Sequence, residues 1–403
     1  MSTAGLSKAR LARMREVMDR HVECGDVPGL VTLVSRRGEV HVHAAGTLAA
    51  GGRRPMRRDT IFRIASMTKP VTAAATMILV EECKVRLDEP VERLVPELGG
   101  RQVLRRLDGP LDETEPARRP ITVRDLLTFR LGFGAVFDLP PSAPIQHAIE
   151  ERLGVPVGSP HPHTTVGLDE WVGRLGTLPL MHQPGEGWIY NTGSHVLGVL
   201  IERASGQPLE TFFRERIFEP LGMRDTGFSV PARKVGRLPV GYAPDPATGG
   251  FQVTDGDSES LWTRPPVFPD GAGGLVSTVD DYLAFARMLL DGGRLRKGRL
   301  LSRPAVEAMT TDQLPPEVKA AARFVPGYFE SHGWGFGMAV VTKREGVAAS
   351  PGQFGWDGGY GTSWASDPRE DLTAILMTQV QGYPPVSPVY QDFWTSVYSA
   401  IDD

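Results

Sequence analysis

An apolar run that follows Ser66 places the start of a buried helix at a hydroxyl side chain. Residues 71–80 are Val, Thr, Ala, Met, Ile and Leu without glycine, which favours a helix that is buried on all sides. Pro70 is tolerated only in the first turn of a helix, where backbone N–H groups have no intrahelical acceptor. The helix is therefore predicted to begin near Ser66, with the hydroxyl at the positive end of the helix dipole.

Lys69 follows Ser66 by three residues, so both side chains are expected on the same face of this helix. A hydroxyl and an amine held together can form an activated nucleophile, although the pattern Ser-x-x-Lys is short enough to occur by chance. An isolated serine hydroxyl is a poor nucleophile, so the base must be Lys69 or a tyrosine held near it. Lowering the pKa of a lysine from about 10.4 to neutrality requires roughly 4 kcal/mol of burial and like-charge work.

The composition is that of an ordinary soluble globular protein. The chain has 403 residues, 41% of them hydrophobic and 23% charged, which suffices for one large domain or two lobes. A net charge of −4 gives no reason to expect nucleic acid or an anionic membrane surface as a partner. Because the chain shows neither a secretory signal nor an apolar run of about 18 residues, a cytoplasmic location is expected. Cys24 and Cys83 lie in apolar helical contexts and are predicted to be buried thiols.

Several common catalytic motifs are absent from the sequence. It contains no G-x-S-x-G elbow, which argues against an ordinary α/β-hydrolase, and no H-E-x-x-H or phosphate-binding glycine loop. His41 and His43 are two apart on a predicted strand, and His161 and His163 flank a proline in a predicted loop. Each pair lacks the third ligand that a metal site needs, so neither a metal nor an organic cofactor is expected.

Predicted strands lie at the two ends of the chain, and predicted helices lie between them. Residues 29–35 and 39–45 are predicted to form a hairpin, and three strand-like runs after residue 333 are typical of a meander. This order predicts an α+β fold in which an antiparallel sheet is flanked by N- and C-terminal helices and carries a mostly helical inserted lobe. The predicted lobes are residues 1–85 with 290–403 for the sheet and residues 86–289 for the helices, with the active site between them.

Three ordered motifs give the chain a family resemblance. Residues 62–69 lead into the helix, Pro184-Gly185-x-x-Trp188-x-Tyr190 follows at mid-chain, and glycine-rich blocks occupy 271–281 and 354–362. With these motifs the sequence resembles the serine β-lactamase-like superfamily, and most closely the class C β-lactamase-like carboxylesterases called family VIII. The resemblance covers nearly the whole chain, and three motifs in order are far more specific than any one of them.

The resemblance implies a β-lactamase/penicillin-binding-protein-like fold and a set of roles. It implies that Ser66 attacks a carbonyl carbon and becomes acylated, and that Lys69 and Tyr190 together act as general base and then as general acid. It also implies that the backbone N–H groups of Ser66 and Gly359 form the oxyanion hole. On its own, Tyr190 would more often be a core aromatic residue than a catalyst.

Two positions depart from the β-lactamases and penicillin-binding proteins of that superfamily. Thr192 stands two residues after Tyr190, where those enzymes carry a carboxamide that holds the side-chain amide of a β-lactam. Trp356-Asp357-Gly358 stands where their Lys-Thr-Gly motif offers a cation to a substrate carboxylate. An indole followed by an acid would suit a neutral ester, so Trp356, Asp357, Gly358 and Thr192 are predicted to contact the substrate.

The sequence therefore supports four hypotheses. The first is a cytoplasmic serine esterase that cleaves short-chain acyl esters of small molecules through an acyl-enzyme. The second is an acyltransferase that uses the same residues to acylate a small-molecule alcohol or amine. The third is a β-lactamase or D-amino-acid peptidase, which the departures at Thr192 and Trp356 disfavour. The fourth is a catalytically silent binding protein, which the presence of Ser66, Lys69 and Tyr190 disfavours.

Overall fold

The computed structural model describes residues 4–137, 139, 143–153, 166–256, 259–382 and 384–403. Its strands are β1 (Gly29–Arg36), β2 (Glu39–Gly46), β3 (Phe62–Arg63), β4 (Gln102–Leu104), β5 (Thr114–Pro116), β6 (Gly241–Pro244), β7 (Phe251–Asp255), β8 (Val276–Ser277), β9 (His332–Trp334), β10 (Ala339–Val341), β11 (Phe354–Gly358), β12 (Thr362–Asp367) and β13 (Leu372–Thr378). Its helices are α1 (Lys8–Glu23), α2 (Thr68–Glu81), α3 (Val123–Leu127), α4 (Pro144–Leu153), α5 (Leu168–Gly176), α6 (Thr192–Ser205), α7 (Leu209–Phe213), α8 (Glu219–Leu221), α9 (Val279–Leu290), α10 (Arg303–Met309), α11 (Pro316–Ala321), α12 (Tyr328–Ser331) and α13 (Pro388–Ser399).

A seven-stranded antiparallel sheet is assembled from both ends of the chain. Its strand order is β2-β1-β13-β12-β11-β10-β9, and Leu33 of β1 pairs with Ile375 of β13. Every residue of β1 is buried because both faces of the strand are covered. Leu30 and Val34 belong to the apolar cluster under α1 and α13, whereas Leu33 faces the larger core that contains α2 and α9. The prediction of an α+β fold with this sheet and flanking terminal helices is confirmed.

Helices α2, α3, α6 and α9 share one apolar core on the face of the sheet opposite α1 and α13. α6 packs against α2 and α3, and an apolar core joins them. Tyr282 and Phe285 of α9 contact Trp364 of β12, with ring centroids 5.4 and 6.3 Å apart. The structure thus places α9 on the sheet. The predicted lobe boundary between residues 289 and 290 had assigned nearly all of this helix to the helical lobe. In the described part of the chain, no helix is both long enough and apolar enough to span a bilayer.

The prediction that the two cysteines are buried is wrong. Cys24 and Cys83 are free, exposed thiols. Each follows the last residue of a helix, Cys24 after α1 and Cys83 two residues after α2, at a point where the chain turns away from the core. Cys83 has φ of 57°, a left-handed conformation typical of such helix ends. The apolar residues of each helix do not extend to these positions, so an apolar neighbourhood in sequence did not imply burial.

Candidate active site

Ser66 lies in a tight turn that leads directly into the buried helix α2. A single 3₁₀ turn over Ala65–Met67 precedes the helix, and Pro70 occupies its first turn, so the predicted start is confirmed. Ala65 has φ of 42°, a strained conformation for a residue with a side chain, and such strain concentrates at functional sites. Every other residue from 61 to 79 is buried, which leaves Ser66 as the point of this segment that solvent reaches.

A short pair of strands brings a second segment to the lysine. β3 pairs with β8, and the Ile64 N–H donates to the Leu275 carbonyl at 3.0 Å. The glycine-rich segment before β8 therefore runs along the start of α2. Lys69 Nζ donates to the Ala272 carbonyl at 2.7 Å and to Ser66 Oγ at 2.9 Å. The amine is thus held against the serine hydroxyl by a backbone acceptor on its other side.

Burial determines the charge state of Lys69. The side chain is only 1% exposed, and this burial lowers the pKa of Lys69 to about 7, against the opposing effect of the Asp270 carboxylate. Near neutral pH a substantial fraction of the lysine is therefore neutral and able to accept a proton. The contact with Ser66 Oγ lies within the range of proton transfer between a nucleophile and its base.

Tyr190 is the third residue that lies close to Ser66 and Lys69. Its ring lies under the amine, with Lys69 Nζ 4.6 Å from the ring centroid. Asn191 has φ of 87° and ψ of −59°, and the Thr192 N–H donates back to the Tyr190 carbonyl at 3.3 Å. This γ-turn is a rare, strained connection that joins Tyr190 to the first residue of α6. The structure therefore brings Ser66, Lys69 and Tyr190 into one cleft.

Trp356 also lies in the cleft, where it binds the tyrosine hydroxyl. Its Nε1 donates to Tyr190 Oη at 2.8 Å, and the two ring centroids are 5.6 Å apart. A neutral indole thus occupies the place at which the resemblance suggested a cation in β-lactamases. Tyr190 packs further against an aromatic wall of Phe129, Trp188 and Phe324, with centroid distances of 5.6, 5.9 and 5.6 Å.

Gly358 lets strand β11 lie against the turn that carries Ser66. A Cβ at Gly358 would stand 2.2 Å from the Ile64 carbonyl oxygen and 2.2 Å from Thr362 Oγ1, so only glycine fits there. The Gly361 N–H donates to the Gly358 carbonyl at 3.0 Å, which fixes the peptide that carries the Gly359 N–H. The Gly359 amide is thus anchored beside the turn of Ser66, and its role as an oxyanion donor stays a prediction.

We expect Gly358→Ala to destabilise the protein by about 1–3 kcal/mol, because the added methyl group overlaps a backbone oxygen that cannot move away freely. Urea denaturation followed by circular dichroism measures this change. Gly173→Ala is the matched control, since a Cβ at that position of α5 meets nothing within 4 Å and alanine favours a helix. Equal stabilities of the two variants would contradict the close approach of β11 to Ile64.

Two of the predicted substrate contacts have a different setting in the structure. The Asp357 side chain forms a hydrogen bond with Ser363, whose hydroxyl accepts from Trp394 Nε1 of α13 at 3.1 Å. Burial raises the pKa of Asp357 to about 7. Since side chains alternate along a strand, Asp357 faces α13 while Trp356 faces Tyr190. The predicted placement of Asp357 beside Tyr190 in the site is therefore corrected. Thr192 is buried at the first position of α6, and its contact with a substrate stays a prediction.

Sequence reasoning missed other parts of the cleft. The Ala272 carbonyl lies in a glycine-rich segment that the sequence indicated only as a family block, and Asp270 directly precedes that block. Phe324 gave no sequence signal because it follows a short helix far from every motif. In the described part of the chain, no cluster of three or more His, Cys, Asp or Glu side chains could hold a metal. His161 and His163 lie outside the described residues.

The contact of a serine hydroxyl with a buried lysine at a helix start, beside a tyrosine, defines a serine hydrolase site of the Ser-x-x-Lys type. The chain belongs to the beta-lactamase family, whose model matches residues 14–392. Protein Rv1367c of Mycobacterium tuberculosis is 40% identical over 382 residues, covering 93% of this chain and 90% of the relative. Esterase EstB of Burkholderia gladioli is 33% identical over 387 residues, covering 91% of this chain and 90% of EstB. The solved structure of EstCE1, a hydrolase with promiscuous acyltransferase activity, has a TM-score of 0.79 at 24% identity, covering 97% of this chain and 99% of EstCE1.

Proposed function

We propose that the protein is a carboxylesterase that hydrolyses small, neutral acyl esters through an acyl-enzyme on Ser66. The observation that carries the proposal is the 2.9 Å contact between Lys69 Nζ and Ser66 Oγ in a buried setting that lowers the pKa of the lysine. The 33% identity to an enzyme named as an esterase supports the same chemistry. The family assignment alone leaves ester, amide and β-lactam substrates open.

The contact between Lys69 and Ser66 supports the first of the following steps, and the family resemblance supports the others. Neutral Lys69 accepts the hydroxyl proton of Ser66 while Oγ forms a bond to the ester carbonyl carbon. The oxyanion of the tetrahedral intermediate is then stabilised by the N–H groups of Ser66 and Gly359. When the C–O bond to the alcohol breaks, the leaving oxygen takes a proton from Tyr190, which Lys69 resupplies. Water repeats the sequence on the acyl-enzyme and releases the acid.

The walls of the cleft favour a neutral substrate. Tyr190 is surrounded by aromatic rings, and Trp356 offers its oxygen a neutral donor. Phe137 is 56% exposed and lies with its ring 6.4 Å from that of Tyr190 and 5.9 Å from that of Phe324, which extends the apolar wall outward. Apolar rings cannot replace the hydration that a substrate carboxylate would lose there, so its binding would be unfavourable.

We expect Tyr190→Phe to lower kcat by about 10²–10⁴-fold, because it removes the acid–base hydroxyl and keeps the ring. Trp356→Phe removes the 2.8 Å hydrogen bond to that hydroxyl together with part of a buried ring, so a loss of about tenfold is expected. Trp188→Phe is the matched control, since Nε1 of Trp188 is buried without a hydrogen-bond partner in the described structure. Steady-state hydrolysis of p-nitrophenyl butyrate measures all three, and equal effects of the two tryptophan variants would contradict a role for the indole N–H.

Intact-mass spectrometry after exposure to a panel of esters tests the proposed function directly. We expect a mass increase equal to one acyl group, located on Ser66, for short neutral esters and none for the matching carboxylate-bearing esters. Brisk hydrolysis of nitrocefin without ester turnover would instead identify a β-lactamase. The absence of both adduct and turnover would refute the proposal.

Acyl transfer remains open on the same residues, because an alcohol can take the place of water in attacking the acyl-enzyme. Product analysis in the presence of mixed small-molecule alcohols and amines separates the two reactions. Acid as the sole product supports the esterase, whereas a new ester or amide formed faster than the acid shows an acyltransferase.

A further inference from the structure

Asp270 is a buried acid that is connected to Lys69 through the Ala272 peptide, and the proposed reaction steps do not use it. It is 7% exposed, and its Oδ1 accepts the Ala272 N–H at 2.7 Å. The same oxygen lies 3.3 Å from His195 Nε2, whose ring packs between Trp171 and Phe268. A buried carboxylate that is ionised requires such partners, and these contacts supply two of them.

Asp270 also controls the backbone that holds the lysine. Ala272 donates its N–H to the Asp270 carboxylate and accepts from Lys69 Nζ through its carbonyl. The Gly274 N–H donates to the Asp270 carbonyl at 2.9 Å, and Thr72 Oγ1 donates to the Gly271 carbonyl at 2.6 Å. The segment is therefore fixed on both sides, so that the Ala272 carbonyl faces the amine.

Asp270 interacts with two titratable groups, Lys69 and His195. Of the charged groups in the described part of the chain, Asp270 is the one that acts on the pKa of Lys69, and it raises that pKa against the effect of burial. Burial opposes ionisation of Asp270 as well, yet His195, the Ala272 N–H and Lys69 hold the pKa of its carboxyl below the usual value. His195 from α6 and Lys69 from α2 are thus the titratable groups that face Asp270.

We propose that Asp270, supported by His195, is a positioning residue that stabilises the lysinium formed when Ser66 gives its proton to Lys69. The proton stays on Lys69 Nζ until it is passed on, and Asp270 remains ionised throughout. Ser66 contacts Lys69 directly, and the Ala272 peptide links Lys69 to the Asp270 carboxylate. The base is thus oriented by a third group, as in other hydrolases. The inference rests on the proposed function, since it assumes that Lys69 is the base.

The test is the pH profile of Ser66 phosphonylation by a fluorophosphonate, which needs the neutral lysine but no ester turnover. In the wild-type protein the rate is expected to rise with pH through about 7, the pKa of Lys69. Asp270→Asn keeps an acceptor for the Ala272 N–H and removes the negative charge. The pKa of Lys69 then falls, so the acid limb moves to lower pH by about one unit, and the plateau rate drops about tenfold.

Two further variants keep the inference testable if Asp270→Asn folds poorly. His195→Gln retains a donor for Asp270 and is expected to leave the limb in place. His195→Phe removes that donor, which raises the pKa of the buried Asp270 and moves the limb in the same direction as Asp270→Asn, by a smaller amount. Asp367→Asn is the control for loss of a buried acid, since Asp367 accepts the Arg369 N–H at 2.9 Å in the same local pattern on the sheet.

A purely structural role for Asp270 would lower the rate at every pH and leave the limb unmoved, and that result would overturn the inference. An unchanged profile in Asp270→Asn would overturn it as well. Failure of the Ser66 and Lys69 chemistry on which the inference rests has a different signature, because the wild-type protein itself would then not be phosphonylated on Ser66. A shifted limb in Asp270→Asn and His195→Phe, with His195→Gln and Asp367→Asn at the wild-type position, would support the inference.

Discussion

Replacing Ser66 with alanine is expected to abolish acylation and to lower kcat for p-nitrophenyl butyrate by at least about 10⁴-fold. The hydroxyl is the group that the neutral lysine contacts, and alanine offers no atom that can form a bond to the substrate. Intact-mass spectrometry with a fluorophosphonate and with short esters measures the loss of the covalent adduct. Since Ser66 is not fully buried, thermal stability should change little.

Ser194→Ala is the matched control for this prediction. Ser194 Oγ lies near the start of α6, and it is buried without a hydrogen-bond partner in the described structure. Its removal should therefore leave the adduct and the turnover intact. An adduct that persists in Ser66→Ala and disappears in Ser194→Ala would contradict the prediction, because it would identify Ser194 and not Ser66 as the nucleophile.

Replacing Lys69 with methionine is expected to lower kcat by about 10³–10⁴-fold while raising stability at neutral pH. Methionine fills a similar volume but cannot take the Ser66 proton, so the general-base contribution is lost. The variant also removes an amine that is buried, and this amine gives up its proton near pH 7 in the folded protein. Steady-state kinetics and chemical denaturation of the same samples measure both effects.

The stability effect of Lys69→Met should depend on pH in one direction. The folded pKa is about 7 and the unfolded value about 10.5, so between these values the unfolded chain binds one proton more than the folded protein. The free energy of unfolding of the wild type then rises with pH across that window, by up to roughly 5 kcal/mol in total. The advantage of the methionine variant should accordingly be largest below pH 7 and small near pH 10.5. An advantage that grows with pH would contradict a buried, readily deprotonated lysine.

The sequence predicted well those features that rest on local rules. Pro70 and the apolar run after it located the helix start, and a fixed spacing then put Lys69 beside Ser66. The order of the elements, with strands at the two ends of the chain and helices between them, was enough to predict a sheet built from both termini. Tyr190 could be assigned to the same cleft only through the family resemblance, because no local rule relates residues that are so far apart in the sequence.

The errors came from treating neighbours in sequence as neighbours in space. Asp357 was assigned to the cleft as part of the Trp356-Asp357-Gly358 motif, but alternation along β11 turns it towards α13. Cys24 was assigned to the core because its helix is apolar, yet it lies beyond the last buried turn. Asp270 and Phe324 could not be predicted, because their positions depend on how separate segments pack around the lysine and the tyrosine.

Pairing between β1 and β13 has a consequence for the order in which the protein can mature. The first strands leave the ribosome early, and β1 can pair with β2 at once, but it finds its second partner, β13, only when the residues near Ile375 have been made. The Gly358–Gly359 peptide belongs to the same late segment, so a nascent chain carries Ser66 without the strand that completes its surroundings. Synthesis in a cell-free system stalled before β11 should therefore give a chain that bears the nucleophile but does not react with fluorophosphonate, and release of the full chain should restore labelling.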